Sequence, residues 1–154
     1  MEPWERLWDS SAKAAFTPLL PHGHPFPPPN PERVRAGLES SEVSLLVADD
    51  DGELAGFTGC GFSRDSDVGP EVGEVWSLFV AVDRWRQGVG RALMDAALDD
   101  LRLRAYAEAT VWSFDANERA NSFYEARGFA RDGTTRTEEV WANLLEVRYR
   151  RALA

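Results

Sequence analysis

The 154-residue sequence predicts one α/β domain, residues 1–154, built on a mixed, mostly antiparallel sheet with a parallel strand pair at its centre and helices flanking it. Three observations carry this reading. An apolar run, Glu74 to Val82, passes through Gly88-Val89-Gly90 into an amphipathic helix and then a second strand around Thr110 to Ser113. That order is a βαβ unit, whose strands lie parallel. Apolar runs also flank Asp50-Asp51-Gly52 as in a hairpin, and two strand-like segments close the chain, adding antiparallel neighbours.

The elements follow in order. Trp4, Leu7, Trp8, Ser11, Ala15 and Leu19 recur at helical spacing, predicting an amphipathic helix over about 3–20 with Pro18 and Pro21 near its end. The proline-rich stretch from Pro21 to Pro31, which holds His22 and His24, reads as a loop suited to lining a substrate entrance. The two histidines lack a third ligand nearby, so no metal is expected. Pro31 to Glu39 reads as a short helix. Ser44–Ala48 and Leu54–Phe62 form the hairpin, and Glu74–Val82 is the strand entered through the turn around Gly69, Pro70 and Gly73. Gly88 to about Arg104 is a helix burying Leu93, Ala96, Ala97 and Leu101; Ala109–Ser113 is a strand and Asn117–Ala126 a helix closed by Gly128 in the left-handed region. Strands over about Ala130–Thr137 and Leu144–Arg150 end the chain.

Composition narrows the function. The formal net charge is −9, and Lys13 is the only lysine. Such a balance repels nucleic acid and favours cationic partners or plain solubility. No apolar run is long enough to span a bilayer and no signal peptide is visible, so a cytoplasmic protein without membrane or nucleic-acid partners is expected. A single cysteine, Cys60, excludes an internal disulfide and reads as a strand residue.

The chemistry concentrates in two places. Gly88 and Gly90, just after a strand and at the start of a helix, let the backbone approach a ligand closely, while the helix start offers unpaired N–H groups and positive dipole to an anion. Arg86 and Arg91 flank that turn. The second place is Asn117-x-x-Ala120-x-x-Phe123-Tyr124-Glu125-x-x-Gly128-Phe129.

With these two motifs, Leu78-Phe79-Val80 eight residues ahead of Gly88-x-Gly90 and the Asn117 to Phe129 pattern, the chain resembles the GNAT superfamily of acyl-CoA-dependent N-acetyltransferases over roughly residues 40–151. The resemblance implies a GNAT-like fold in which the parallel strands splay and coenzyme A lies in the opening. It implies acetyl-CoA as acyl donor, no metal, and a primary amine on a small molecule or peptide as acceptor, attacked directly in a ternary complex. Phe79, Val80 and Val82 are then expected against the pantetheine arm, with the backbone of Gln87, Gly88, Val89, Gly90, Arg91 and Ala92 around the pyrophosphate. Asn117 would bond the cofactor arm and Tyr124 would protonate the departing thiolate. Plainer roles stand beside these: Asn117 as a helix N-cap and Tyr124 as a core aromatic. Aminolysis also needs a proton acceptor. Glu74 is the expected base, because regular alternation puts it with Trp76 and Leu78 on the face of Val80; a solvent-exposed carboxylate at a strand start is the alternative. Ser113 is a weaker relay. Asp65 and Asp67 read as turn residues that are also able to meet an amine.

The chain departs from the family pattern in two respects. Trp85 stands where an Arg or Gln usually precedes the glycines. No strand is readable ahead of the first helix, so an open sheet edge, and with it a homodimer, is expected. A second functional class is a non-catalytic acyl-CoA-binding sensor or partner subunit with the same fold.

Overall fold

The computed structural model describes residues 2–154. The first helix, α1 (Pro3–Phe16), starts with Pro3 at its first position and with the Glu5 carboxylate accepting the Glu2 N–H at 2.6 Å. It is shorter than the periodicity predicts. Pro18 supplies no N–H to an α-helical ladder, and Thr17–Leu19 tighten into a 3-10 turn. Asn30 caps α2 (Pro31–Glu39) by accepting the Arg33 N–H at 3.0 Å.

Strands β1 (Val43–Asp50), β2 (Glu53–Phe62) and β3 (Val72–Val80) form a meander. A 3-10 turn at Val82–Arg84 leads to α3 (Val89–Leu103), followed by β4 (Glu108–Phe114), α4 (Glu118–Ala126), β5 (Ala130–Arg136), a 3-10 turn at Glu139–Trp141, and β6 (Glu146–Ala152). The sheet order is β1-β2-β3-β4-β6-β5, and every neighbouring pair is antiparallel except β3 and β4. This is the expected mixed, mostly antiparallel sheet with its central parallel pair. One core lies between α3, α4 and the sheet, where Met94, Leu101, Val75, Val111 and Tyr149 are buried. The other face is covered by α1, with Trp8 and Phe16 against Phe79. No strand precedes α1 among the described residues, so β1 edges the sheet with Val47 exposed.

Two irregularities position the site. The parallel ladder pairs only Val72–Val75 with Glu108–Val111, so beyond Val75 and Val111 the two strands part. The β2–β3 register also slips: Gly59 opposes Ser77 but Cys60 opposes Val75, leaving Trp76 as a bulge. A bulge reverses which face the following side chains meet. Val75 packs in the α3 core and Val80 also approaches α3, its Cγ2 lying 3.6 Å from where a Cβ on Gly90 would stand. Glu74 therefore points to the α1 face, opposite Val80, which corrects the regular alternation expected of this strand. Val82 is corrected too: β3 ends at Val80 and Val82 opens the 3-10 turn, 43% exposed.

Candidate active site

The parted strands open onto a cleft of about 1010 Å³ that runs from the start of α3 past the ends of β3 and β4 to the aromatic side chains of α1. Its floor follows from strand geometry. Ala81 donates its N–H to Ala55 at 2.8 Å, so the antiparallel period turns the N–H and C=O of Val80 away from β2, toward the gap left by β4. The Val80 carbonyl accepts the Trp85 indole N–H at 2.9 Å. Trp85 thus joins the cleft wall with its indole tied to the strand end.

At one end stands the glycine turn. Gly88 is the N-cap of α3 at φ +87°, a left-handed conformation that suits glycine, and Arg86 shares that region at φ +63°. No side chain caps this helix, and the first intrahelical bond of its opening turn is the one from Ala92 to Gly88 at 3.0 Å. The N–H groups of Val89, Gly90 and Arg91 are therefore free to meet an anion. The guanidinium of Arg119 lies 3.5 Å over the Trp85 ring. Burial lowers its pKa and the nearby Arg86 charge lowers it further, so the turn carries repelling cations of the kind an anion relieves.

Across the gap, α4 is pinned to the end of β4. Asn117 caps it, accepting the Ala120 N–H at 3.3 Å, and lines the cleft at the same time. Asn121 accepts the Ser113 hydroxyl at 2.6 Å and donates to the carbonyls of Phe114 and Asp115 at 3.2 and 3.0 Å. That bond occupies the Ser113 hydroxyl, and Asn121 is a positioning residue that sequence reasoning passed over. Tyr124 is buried against Tyr149, Phe123 and Phe129 yet reaches the cleft. Its hydroxyl has no hydrogen-bond partner among the described residues, and burial pushes its pKa up to about 12, so it holds its proton at neutral pH.

Glu74 is not among the cleft residues. It is 1% exposed; its Oε1 accepts the Arg64 N–H at 3.0 Å, and its Oε2 is gripped by the same arginine's Nε and Nη2. Both carboxylate oxygens are therefore taken, Oε1 by a backbone N–H and Oε2 by the guanidinium, and neither is open to the cleft. The expected base is thus placed as a structural ion pair.

The α1 face of the cleft carries a different carboxylate. Glu146, the first residue of β6, is 6% exposed and directly opposes Phe114. Its Oε1 accepts from Arg136 Nε and Nη2 at 3.3 and 3.2 Å, whereas its Oε2 is buried and without a hydrogen bond. Burial raises its pKa to about 7; Arg136 opposes the rise and the neighbouring Glu138 carboxylate adds to it. The signal was present in the alternation Glu146, Arg148, Arg150 against Val147 and Tyr149, which marks a polar strand face. Two residues along, Arg148, 3% exposed, ties Asp65, Asp67 and Asp132 together at 2.6–3.1 Å. Asp65 and Asp67 are thereby anchors of the β2–β3 loop, with Asp65 also accepting the Trp112 indole N–H at 3.0 Å. His24 contacts the Val140 carbonyl at 3.0 Å and belongs to loop packing.

Comparison with known proteins agrees with this architecture. The model of the acetyltransferase (GNAT) family matches residues 4–129. An uncharacterized N-acetyltransferase of Archaeoglobus fulgidus is 33% identical over 100 residues, 61% of this chain and 65% of that protein. A mycothiol acetyltransferase of Propionibacterium freudenreichii is 40% identical over 89 residues, 57% of this chain and 28% of that protein. The chain thus spans less than two thirds of the length of these curated relatives. Among solved structures, the ribosomal-protein-alanine N-acetyltransferase of Brucella melitensis superposes with a TM-score of 0.75 at 17% identity, covering 97% of this chain and 91% of that one. The PaiA N-acetyltransferase of Thermoplasma acidophilum, solved with coenzyme A, gives 0.68 at 13% identity, covering 95% and 89%. These likenesses concern the fold.

Proposed function

Because the chain belongs to the GNAT acetyltransferase family, we propose that it transfers the acetyl group of acetyl-CoA to a primary amine by direct attack in a ternary complex. The observation that carries this reading is the uncapped start of α3 opening onto the gap between β3 and β4, with Tyr124 on the far side. In it, the N–H groups from Gln87 to Arg91 hold the pyrophosphate, supported by the Arg86 and Arg91 side chains, while the Ala92 N–H, bonded to the Gly88 carbonyl, closes the turn behind them. The backbone of Phe79 and Val80 runs beside the pantetheine arm, which takes the place β4 vacates, and the Val80 N–H polarises the acetyl carbonyl. Val82 flanks the arm from the exposed turn, and Asn117 meets it while capping α4. For Val80 to lend its carbonyl to the arm as well, the Trp85 indole has to swing away.

Tyr124 supplies the proton for the leaving thiolate. A phenol held protonated by burial is suited to this task, because a thiolate forming in a low-dielectric gap gains from any donor at hand. Acetyl-CoA is the only cosubstrate in this reading; the proposed chemistry uses no metal.

The test is thiol release from acetyl-CoA with a panel of amines, run beside Tyr124→Phe. We expect turnover to fall roughly 100-fold in the variant while calorimetric affinity for acetyl-CoA stays within about 2-fold. Tight acetyl-CoA binding without turnover on any amine points instead to the sensor class. An unchanged rate in Tyr124→Phe removes the acid role.

A further inference from the structure

Resting on that reading, we infer that Glu146 is the proton acceptor of the acceptor pocket, and that the acceptor is a primary amine carried on an apolar, ring-bearing body. Three independent observations converge. The first is the leftover capacity of Glu146 itself: a cleft-lining residue 6% exposed, with one carboxylate oxygen paired to Arg136, the other buried with no N–H or O–H donor on it among the described residues, and the Glu138 carboxyl near enough to share a proton with it. A buried acceptor is expensive to leave unused, and an ammonium group arriving in the cleft satisfies it.

The second is position. Phe114 and Glu146 are register partners, so their side chains share the α1 face of the sheet, at the level where β3 has already left β4. Tyr124 sits among the core residues of the other face. The acid and the base thus approach the gap from opposite faces of the sheet, which leaves one beside the departing sulfur and the other beside the incoming amine.

The third is the wall beside the carboxylate. The rings of Phe16, Phe114 and Trp141 meet one another edge-on with centroids 5.1–5.5 Å apart, and Trp8 and Phe79 continue the lining. Such a wall removes apolar surface from water and gives ring edges and faces to a flat body; its rings offer no hydrogen-bonding match to a polyhydroxylated one.

The step balances as follows. The ammonium gives one proton to Glu146 and becomes a free amine. Its nitrogen forms the N–C bond to the acetyl carbon, and the C–S bond breaks. The thiolate takes the Tyr124 proton, Tyr124 is restored by the second proton from nitrogen, and Glu146 returns the first to water. A buried carboxylate titrating near neutrality serves this exchange, and the groups facing it are Arg136, which favours its charge, and Glu138, which opposes it.

The experiment uses the full chain with acetyl-CoA and three probes: 2-phenylethylamine, spermidine and an aminoglycoside. We expect kcat/KM at least 10-fold higher for 2-phenylethylamine than for the other two. Its pH profile should rise through an acidic limb near 7, a limb that Glu146→Gln abolishes with a roughly 100-fold fall in kcat. Glu138→Gln should move the limb to lower pH, since it removes the opposing charge; a merely structural Glu146 does not produce that shift. Preference for spermidine or the aminoglycoside overturns the acceptor class, as does absence of turnover on all three while acetyl-CoA binds. An acidic limb that survives in Glu146→Gln and stays fixed in Glu138→Gln overturns the base. Failure of calorimetric acetyl-CoA binding would instead strike the underlying acetyltransferase reading.

Discussion

The paired end and the parted end of β3 and β4 use the same materials differently. At the paired end, Glu74 is buried and each of its oxygens is bonded to Arg64, while Thr110 donates to the Gly73 carbonyl at 3.4 Å. At the parted end, Glu146 is almost as buried and also has an arginine, yet one oxygen is left over. The same surplus recurs around it. The first N–H groups of α3 lack a cap, the Tyr124 hydroxyl lacks a partner, and the other orphaned buried atom among the described residues, Arg84 Nε, belongs to a cleft residue as well. Unspent hydrogen-bonding capacity, rather than residue type, separates the working end of this sheet from the structural one.

The sharpest way to break that contrast is Glu74→Ala. Removing one partner of a buried pair leaves the Arg64 charge partly uncompensated, so we expect a loss of about 3 kcal/mol in urea unfolding with acetyl-CoA affinity little changed. Normal stability combined with lost turnover would return Glu74 to the chemistry and erase the distinction.

The converse substitution should stabilise. The Glu146 pKa stands at about 7 in the folded protein against an ordinary value of 4.5, so the folded state holds its proton more tightly than the unfolded chain does. The contribution is favourable below the unfolded value and is lost as pH rises through 7. Glu146→Gln keeps the acceptor facing Arg136 and removes the charge, so it should be more stable than the parent by about 1–3 kcal/mol at pH 8, with the gain vanishing toward pH 4. Thermal melts at the two pH values check this; a gain independent of pH would mean that burial of charge is not what distinguishes the parted end.

Sequence pattern reaches the parts of this molecule that are local. Gly88, Asn117 and the α4 segment announce a turn, a cap and a helix within a few residues of themselves, and the βαβ order fixes the parallel pair. The roles that depended on parity did not carry through. One extra residue at Trp76 moves Glu74 to the other face of the sheet, and a two-residue slip in β5 between Arg131 and Thr135, which keeps parity but sets Asp132–Thr134 opposite Arg148 alone, delivers Asp132 to Arg148. The slip in β5 is marked by Asp132-Gly133, with Gly133 at φ +88°, whereas nothing around Trp76 marks the bulge in β3. Glu146 and Arg136, brought together across the β5–β6 ladder, become neighbours only once that slip is known.

Gly90 offers the smallest and cleanest test, because there the surplus belongs to the backbone. A Cβ at this position meets Val80 Cγ2 at 3.6 Å and the Phe123 ring at 3.8 Å, both ordinary contacts, and its backbone is not in the left-handed region. The fold therefore has no steric need for glycine here, and Ala is the better helix former by roughly 0.5–1 kcal/mol. What a methyl group does take is room beside the free N–H groups of the first turn of α3. Gly90→Ala should accordingly melt at the same temperature as the parent or slightly higher, while its affinity for coenzyme A falls about 10-fold, a loss of about 1.4 kcal/mol. Gly88→Ala cannot make this separation, since at φ +87° the side chain itself is strained and stability and binding fall together. If Gly90→Ala binds coenzyme A as well as the parent, the pyrophosphate lies elsewhere and the uncapped helix start is an accident of the turn.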